Sequence, residues 1–197
     1  MELEKQQLSQ FLSNYITSPM ANYITSSRIL LIIPILLLAS NQDSIYNWIS
    51  LGLFVTAGIT DHLDGYIARK TGTSSPIGAL LDLIADKLLI CLTLIWLQYN
   101  TASLTFFIPS IIIISRELII SSLRQFFAEE KGLNPIKISF LAKSKTTFQI
   151  IATSFWLISP NFGYSFKIIT LILLWIAAYL SVYSLYDYIK SYQKITR

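Results

Sequence analysis

Asp61, Asp64, Asp82 and Asp86 are the side chains of this sequence best placed to do chemistry. They sit in Asp61-His-Leu-Asp64-Gly65-Tyr-Ile-Ala68-Arg69, eight intervening residues, then Gly78-Ala-Leu-Leu-Asp82-Leu-Ile-Ala-Asp86. If both segments are helical, Asp61 and Asp64 (i, i+3) share one face and Asp82 and Asp86 (i, i+4) share another. The short link would bring the two faces together near one membrane surface. Four carboxylates without a matching set of cations repel one another strongly in a low-dielectric setting, and divalent cations relieve that repulsion. Ligands that are all hard oxygens suit Mg²⁺ or Mn²⁺ better than zinc, which draws on His or Cys.

The surrounding chain reads as membrane. Its 197 residues are 53% hydrophobic and only 13% charged, which excludes disorder and argues against a water-soluble domain. The net charge of +4 is too modest to indicate nucleic-acid binding. Residues 1–18 place Leu8, Phe11, Leu12 and Tyr15 at helical spacing among polar neighbours, the pattern of an amphipathic helix on the membrane surface that Pro19 ends. No cleavable signal peptide is visible. Six apolar runs follow, at 28–41, 46–60, 77–98, 104–127, 146–160 and 166–186. Several approach the ~20 residues that span hydrocarbon. The first two reach that length by borrowing 22–27 and the motif to about Arg69. The expectation is all-α: six transmembrane helices plus the amino-terminal surface helix, as one domain over 1–197.

Orientation follows from charge. Connections 41–46, 98–104 and 160–166 contain no Lys or Arg, so they face outward and the motif and both termini face the cytoplasm. Trp48 and Trp96 then fall at the outer interface. Counting along the helices from Arg69 and Pro76 puts Asp61 about 12 Å and Asp86 about 15 Å below the cytoplasmic surface. Phospholipid phosphates lie near that level.

Three readings of the carboxylates compete: a divalent-metal clamp on a diphosphate with one Asp as base, a cation pathway, or helix-pairing charges. Gly65 and Ala68 would let a ligand approach the backbone, Gly78 permits close helix packing, and Arg69 can meet a phosphate. A diphosphate pocket uses all four, whereas a transport path leaves Gly65, Ala68 and Arg69 without a role. His62 points about 100° away from the metal face and reads as packing. Cys91 reads as a small buried apolar residue and allows no intramolecular disulfide.

The stretch matches all eight fixed positions of Asp-x2-Asp-Gly-x2-Ala-Arg-x8-Gly-x3-Asp-x3-Asp, and by it the chain resembles the CDP-alcohol phosphotransferase family. That resemblance implies a six-helix membrane enzyme, commonly a homodimer, with Asp61, Asp64, Asp82 and Asp86 at a divalent metal and Asp86 as general base. It implies CDP contacts from Asp64, Gly65, Ala68, Arg69 and Gly78, and a place in a bacterial inner membrane.

The acceptor is read from other residues. Arg116 and Arg124 are eight apart on the fourth run, and Lys143 and Lys145 open the fifth. Cations converging near the carboxylates suggest an acceptor that itself carries a phosphate. Arg116 could instead pair with Glu117 or a motif Asp, and Arg124, Lys143 and Lys145 could be interfacial anchors. Arg116-Glu117, Leu123-Arg124, Lys143-x-Lys145-Thr146-x2-Gln149 and Asn22-Tyr-Ile-Thr25-Ser-Ser-Arg28 resemble the phosphatidylglycerophosphate synthase subfamily. That implies sn-glycerol 3-phosphate attacking CDP-diacylglycerol. Leu83, Ser115, Ala142 and Ala21 depart from the subfamily's usual Pro, Gly, Gly and Pro. Phosphatidylinositol phosphate and cardiolipin synthases share the first signature and stand as alternatives, with a small cation transporter as the non-enzymatic one.

Overall fold

The computed structural model describes the chain over residues 19–41, 43–71, 76–131 and 140–196, with side chains described at 27–41, 43–60, 81, 83–126 and 144–193. The expected amino-terminal helix over 1–18 lies outside the described residues. What is described is helical: α1 (Pro19–Ala39), α2 (Ser44–Thr71), α3 (Pro76–Thr101), α4 (Leu104–Lys131), α5 (Phe140–Ile158), a 3₁₀ turn (Ser159–Asn161) and α6 (Tyr164–Thr196).

Each boundary has a local cause. Pro19 and Pro76 open α1 and α3, where a missing N–H is no loss and the fixed φ suits the first turn. Segment 164–197 contains neither Gly nor Pro, so α6 continues ten residues beyond the apolar run that announces it. Between α3 and α4 the chain turns in two residues. Ala102 takes φ 47° there, while its N–H bonds Gln98 O at 2.9 Å and closes α3. Pro34 and Pro109 lie within α1 and α4, and the helices run through them.

Among the described residues, three helical segments are long and apolar enough to cross a membrane: Leu83–Thr101, Leu104–Phe126 and Tyr164–Gln193. Ser27–Ala39 and Ser44–Thr60 are shorter apolar segments among the described residues. The distribution of polarity agrees with a lipid surround. Leu30, Ile33, Leu118, Ile119, Ile172, Val182 and many like them face outward, while Arg28, Asn47, Thr93, Arg116, Lys145 and Gln149 are buried. In water so much outward apolar surface would drive aggregation, whereas against acyl chains it carries no penalty.

The helices pack in a ring: α1 on α2, α2 on α5, α5 on α6, α6 on α4, α4 on α3, and α3 back on α1. α3 also reaches α5 across the middle. Ile35, Phe54, Leu94, Phe106, Ile113 and Leu174 fill the interior, and Phe106 and Trp156 meet at 4.4 Å between ring centroids. On α6, Ala177, Ser181 and Ser184 form a stripe of small buried residues, which lets α5 and α4 approach its backbone closely.

One end of the ring is stitched by neutral polar groups. Trp96 Nε1 donates to Ser40 Oγ at 2.7 Å, and Asn47 Nδ2 donates to Asn161 Oδ1 at 3.1 Å. Trp48 packs edge-on against Phe162. The two tryptophans expected at a common interface thus share one end, and the signature residues occupy the opposite one.

Candidate active site

The carboxylate signature lies entirely on helical backbone. Asp61, Asp64, Gly65, Ala68 and Arg69 fall in the last three turns of α2, and Gly78, Asp82 and Asp86 in the first three of α3. The (i, i+3) and (i, i+4) registers assumed from the sequence therefore exist, on two helices that touch. Of these residues only Asp86 has a described side chain; the others, and Lys143 on α5, lie outside the described side chains. Among the described residues no three His, Cys, Asp or Glu side chains gather as a metal site. A donor set of four carboxylates is one that a hard divalent cation fits.

The described half of the site is a cleft where α3, α4 and α5 converge, lined by Asp86, Lys87, Ile90, Glu117, Lys145, Thr146 and Gln149. The free space between them is about 10 Å³, room for roughly one water molecule.

Glu117 is the hub of the cleft. Its Oε1 accepts from Arg116 Nη1 at 3.3 Å, from Gln149 Nε2 at 3.4 Å, and from Lys145 Nζ. Arg116 is held in turn by α6: Nε donates to Ser181 O at 3.1 Å and Nη2 to Ser184 Oγ at 2.8 Å. Gln149 Nε2 also donates to Ser181 Oγ at 2.9 Å. From the other side, Lys87 Nζ donates to Ser121 Oγ, whose hydroxyl donates in turn to the backbone carbonyl of Glu117 at 2.7 Å. One continuous network joins α3, α4, α5 and α6.

Burial sets its energetic weight. Arg116 is 4% exposed and Lys145 6%, and Arg116 falls near the centre of the Leu104–Phe126 segment. Charges at that depth persist only when paired. Removing one partner of such a buried pair costs about 3–5 kcal/mol.

Sequence-expected residues are thus distributed unevenly. Asp86 and Lys145 line one cleft, with Arg116 directly behind it. Arg124 lies two turns further along α4, exposed, its guanidinium 5.8 Å from the Tyr188 ring centroid. Sequence reasoning passed over Lys87 and treated Glu117 only as one possible partner of Arg116. The available signal was a Glu directly following an Arg in an otherwise apolar helix, two opposite charges that hydrocarbon tolerates only with further partners.

Residues 19–183 match the CDP-alcohol phosphatidyltransferase family, and the chain belongs to that family. Among its relatives, a Rickettsia typhi protein named CDP-diacylglycerol–glycerol-3-phosphate 3-phosphatidyltransferase is 40% identical over 173 residues, 86% of this chain and 94% of its own length. A Rickettsia prowazekii protein of the same name is also 40% identical, over 86% of this chain and 93% of its own. One from Haemophilus influenzae is 39% identical over 140 residues, 70% of this chain and 74% of its own.

Proposed function

We propose that this protein transfers the phosphatidyl group of CDP-diacylglycerol to sn-glycerol 3-phosphate, giving phosphatidylglycerol phosphate and CMP. The observation that carries the reading is the cleft in which Asp86, an acid–base group, stands with Lys145, a buried cation suited to a phosphate-bearing acceptor. Relatives at 40% identity bearing the name of that activity support it.

In the reaction a hydroxyl oxygen of the acceptor attacks the lipid-bearing phosphorus while the bond from that phosphorus to the CMP oxygen breaks. Asp86 takes the hydroxyl proton, so no free alkoxide forms. A divalent cation, Mg²⁺ or Mn²⁺, held by Asp61, Asp64, Asp82 and Asp86 would offset the charge of the diphosphate and of the departing CMP. Asp64, Gly65, Ala68, Arg69 and Gly78 serve the CDP side of the pocket. Lys145, Arg116, Arg124 and Lys143 supply positive charge on the acceptor side. The whole chain acts as one membrane domain of six spans in a bacterial inner membrane, site toward the cytoplasm, as a homodimer, with residues 1–18 as a surface anchor.

Purified protein in detergent, given CDP-diacylglycerol, Mg²⁺ and radiolabelled glycerol 3-phosphate, should carry label into a lipid that co-migrates with phosphatidylglycerol phosphate. Asp86→Asn should lose at least about a hundredfold of that rate, the range general-base catalysis supplies, while still binding CDP-diacylglycerol. A D86N protein that keeps its rate would remove Asp86 from the mechanism.

A further inference from the structure

The described part of the cleft beside Asp86 is narrow in this structure, and the paired Lys145 and Glu117 are among the side chains that line it. Free space of about 10 Å³ accommodates a water and no phosphate ester. An acceptor phosphate that enters between these described side chains parts that pair or pushes its members aside.

The three donors on Glu117 differ in how freely they can leave. Arg116 is fastened to α6 by Nε and Nη2 as well as to Glu117 by Nη1, and its planar fork holds all three bonds in one orientation. Gln149 is fastened to Ser181. Lys145 has a single ion-pair and hydrogen-bond partner among the described residues, Glu117, and its ammonium rides on a flexible four-carbon stem. When Lys145 swings away, Glu117 Oε1 still accepts from Arg116 and Gln149, so the buried carboxylate is not stranded without donors. The arrangement has one movable cation, one fixed cation, and an anion that tolerates losing the movable one.

We propose that Glu117 is a positioning residue that holds Lys145 in reserve and releases it to the acceptor's phosphate, so that the carboxylate and the phosphate compete for the same ammonium. Arg116 and Gln149 stay on Glu117 throughout and keep it in place. Glu117 thereby sets how tightly the acceptor binds, because it weakens phosphate binding in the empty site. This rests on the reading that the acceptor carries a phosphate.

The test is steady-state kinetics of full-length protein in detergent for wild type, Glu117→Gln, Lys145→Ala and the double variant. Thermal unfolding serves as the check on folding. Glutamine keeps the shape and removes the competing charge. E117Q should lower KM for glycerol 3-phosphate about three- to tenfold and leave KM for CDP-diacylglycerol unchanged. Inorganic phosphate, a probe that does not turn over, should become a stronger competitive inhibitor by the same factor. In the K145A background E117Q should have no such effect. A merely structural role predicts the opposite sign, because a damaged pocket does not gain affinity for one substrate alone. An acceptor KM or phosphate inhibition constant that rises or stays level in folded E117Q overturns the proposal, as does a gain that survives K145A. Should E117Q fail to fold, Glu117→Asp, whose carboxylate is one methylene further from Lys145, should shift both constants in the same direction by a smaller factor, and no shift overturns the proposal. If wild-type protein accepts only phosphate-free alcohols, the functional reading falls before any variant is made. Use of glycerol 3-phosphate with an indifferent E117Q overturns the Glu117 proposal alone.

Discussion

At the scale of single residues, Arg116 and Lys145 look alike in sequence and behave differently in the structure. Both are cations in apolar surroundings, but Arg116 bonds to α6 through Ser181 and Ser184, whereas the hydrogen bond of Lys145 goes to Glu117. The expected consequence is a split between stability and acceptor affinity. Arg116→Ala removes one of the two cations on Glu117 together with the bonds to Ser181 and Ser184, and it empties a buried site, so it should cost about 3–5 kcal/mol of stability, seen as a fall in the unfolding midpoint in detergent. Lys145→Ala should leave more of that stability and raise KM for glycerol 3-phosphate at least about tenfold, the range of a charge-assisted contact, with KM for CDP-diacylglycerol unchanged. Equal KM effects of K145A on both substrates would argue against its acceptor role. Sequence made the depth of Arg116 legible, because its position in an apolar run is a matter of counting. Glu117, its neighbour in sequence, was legible as a possible partner, whereas Ser181 and Ser184 were not, since they lie 65 and 68 positions away and only helix packing brings them near.

At the scale of elements, the six apolar runs each correspond to a described helix, and the short first and second runs lengthen at the ends expected, back to Pro19 and on to Thr71. Hydropathy reported where chain is apolar, not where it is helical. The polar tail of α6 to Thr196 was therefore invisible to it, although the absence of Gly and Pro there was readable. The α3–α4 connection was legible at 98–104, but its left-handed residue was hidden, because it is an alanine rather than a glycine. Ala102 at φ 47° bears the steric penalty of the left-handed region, about 1–2 kcal/mol for a residue with a Cβ. Ala102→Gly relieves it and adds freedom to the unfolded chain, so the net gain should be up to about 1 kcal/mol. The readout is a rise of the unfolding midpoint with turnover unchanged; a lower midpoint would mean that the turn is not strained.

At the scale of the whole molecule, an apolar exterior surrounds an interior that is mostly apolar but holds a cluster of buried charges, and that cluster marks the place of the chemistry. The helices that meet lipid leave α3, α4, α5 and α6 to satisfy one another's buried charges, and they do so beside Asp86. Composition made the membrane class legible, and the spacing of Asp61, Asp64, Asp82 and Asp86 made the family legible before any packing was known. The closed Lys145–Glu117 pair became visible only once α4 and α5 were set side by side, since 28 positions separate the two residues. The most direct measurement is release of CMP by the purified protein, given CDP-diacylglycerol, Mg²⁺ and one alcohol at a time. Release with glycerol 3-phosphate, and none with serine, inositol phosphate or phosphatidylglycerol, is the predicted result. Release with one of those other acceptors and none with glycerol 3-phosphate would contradict it.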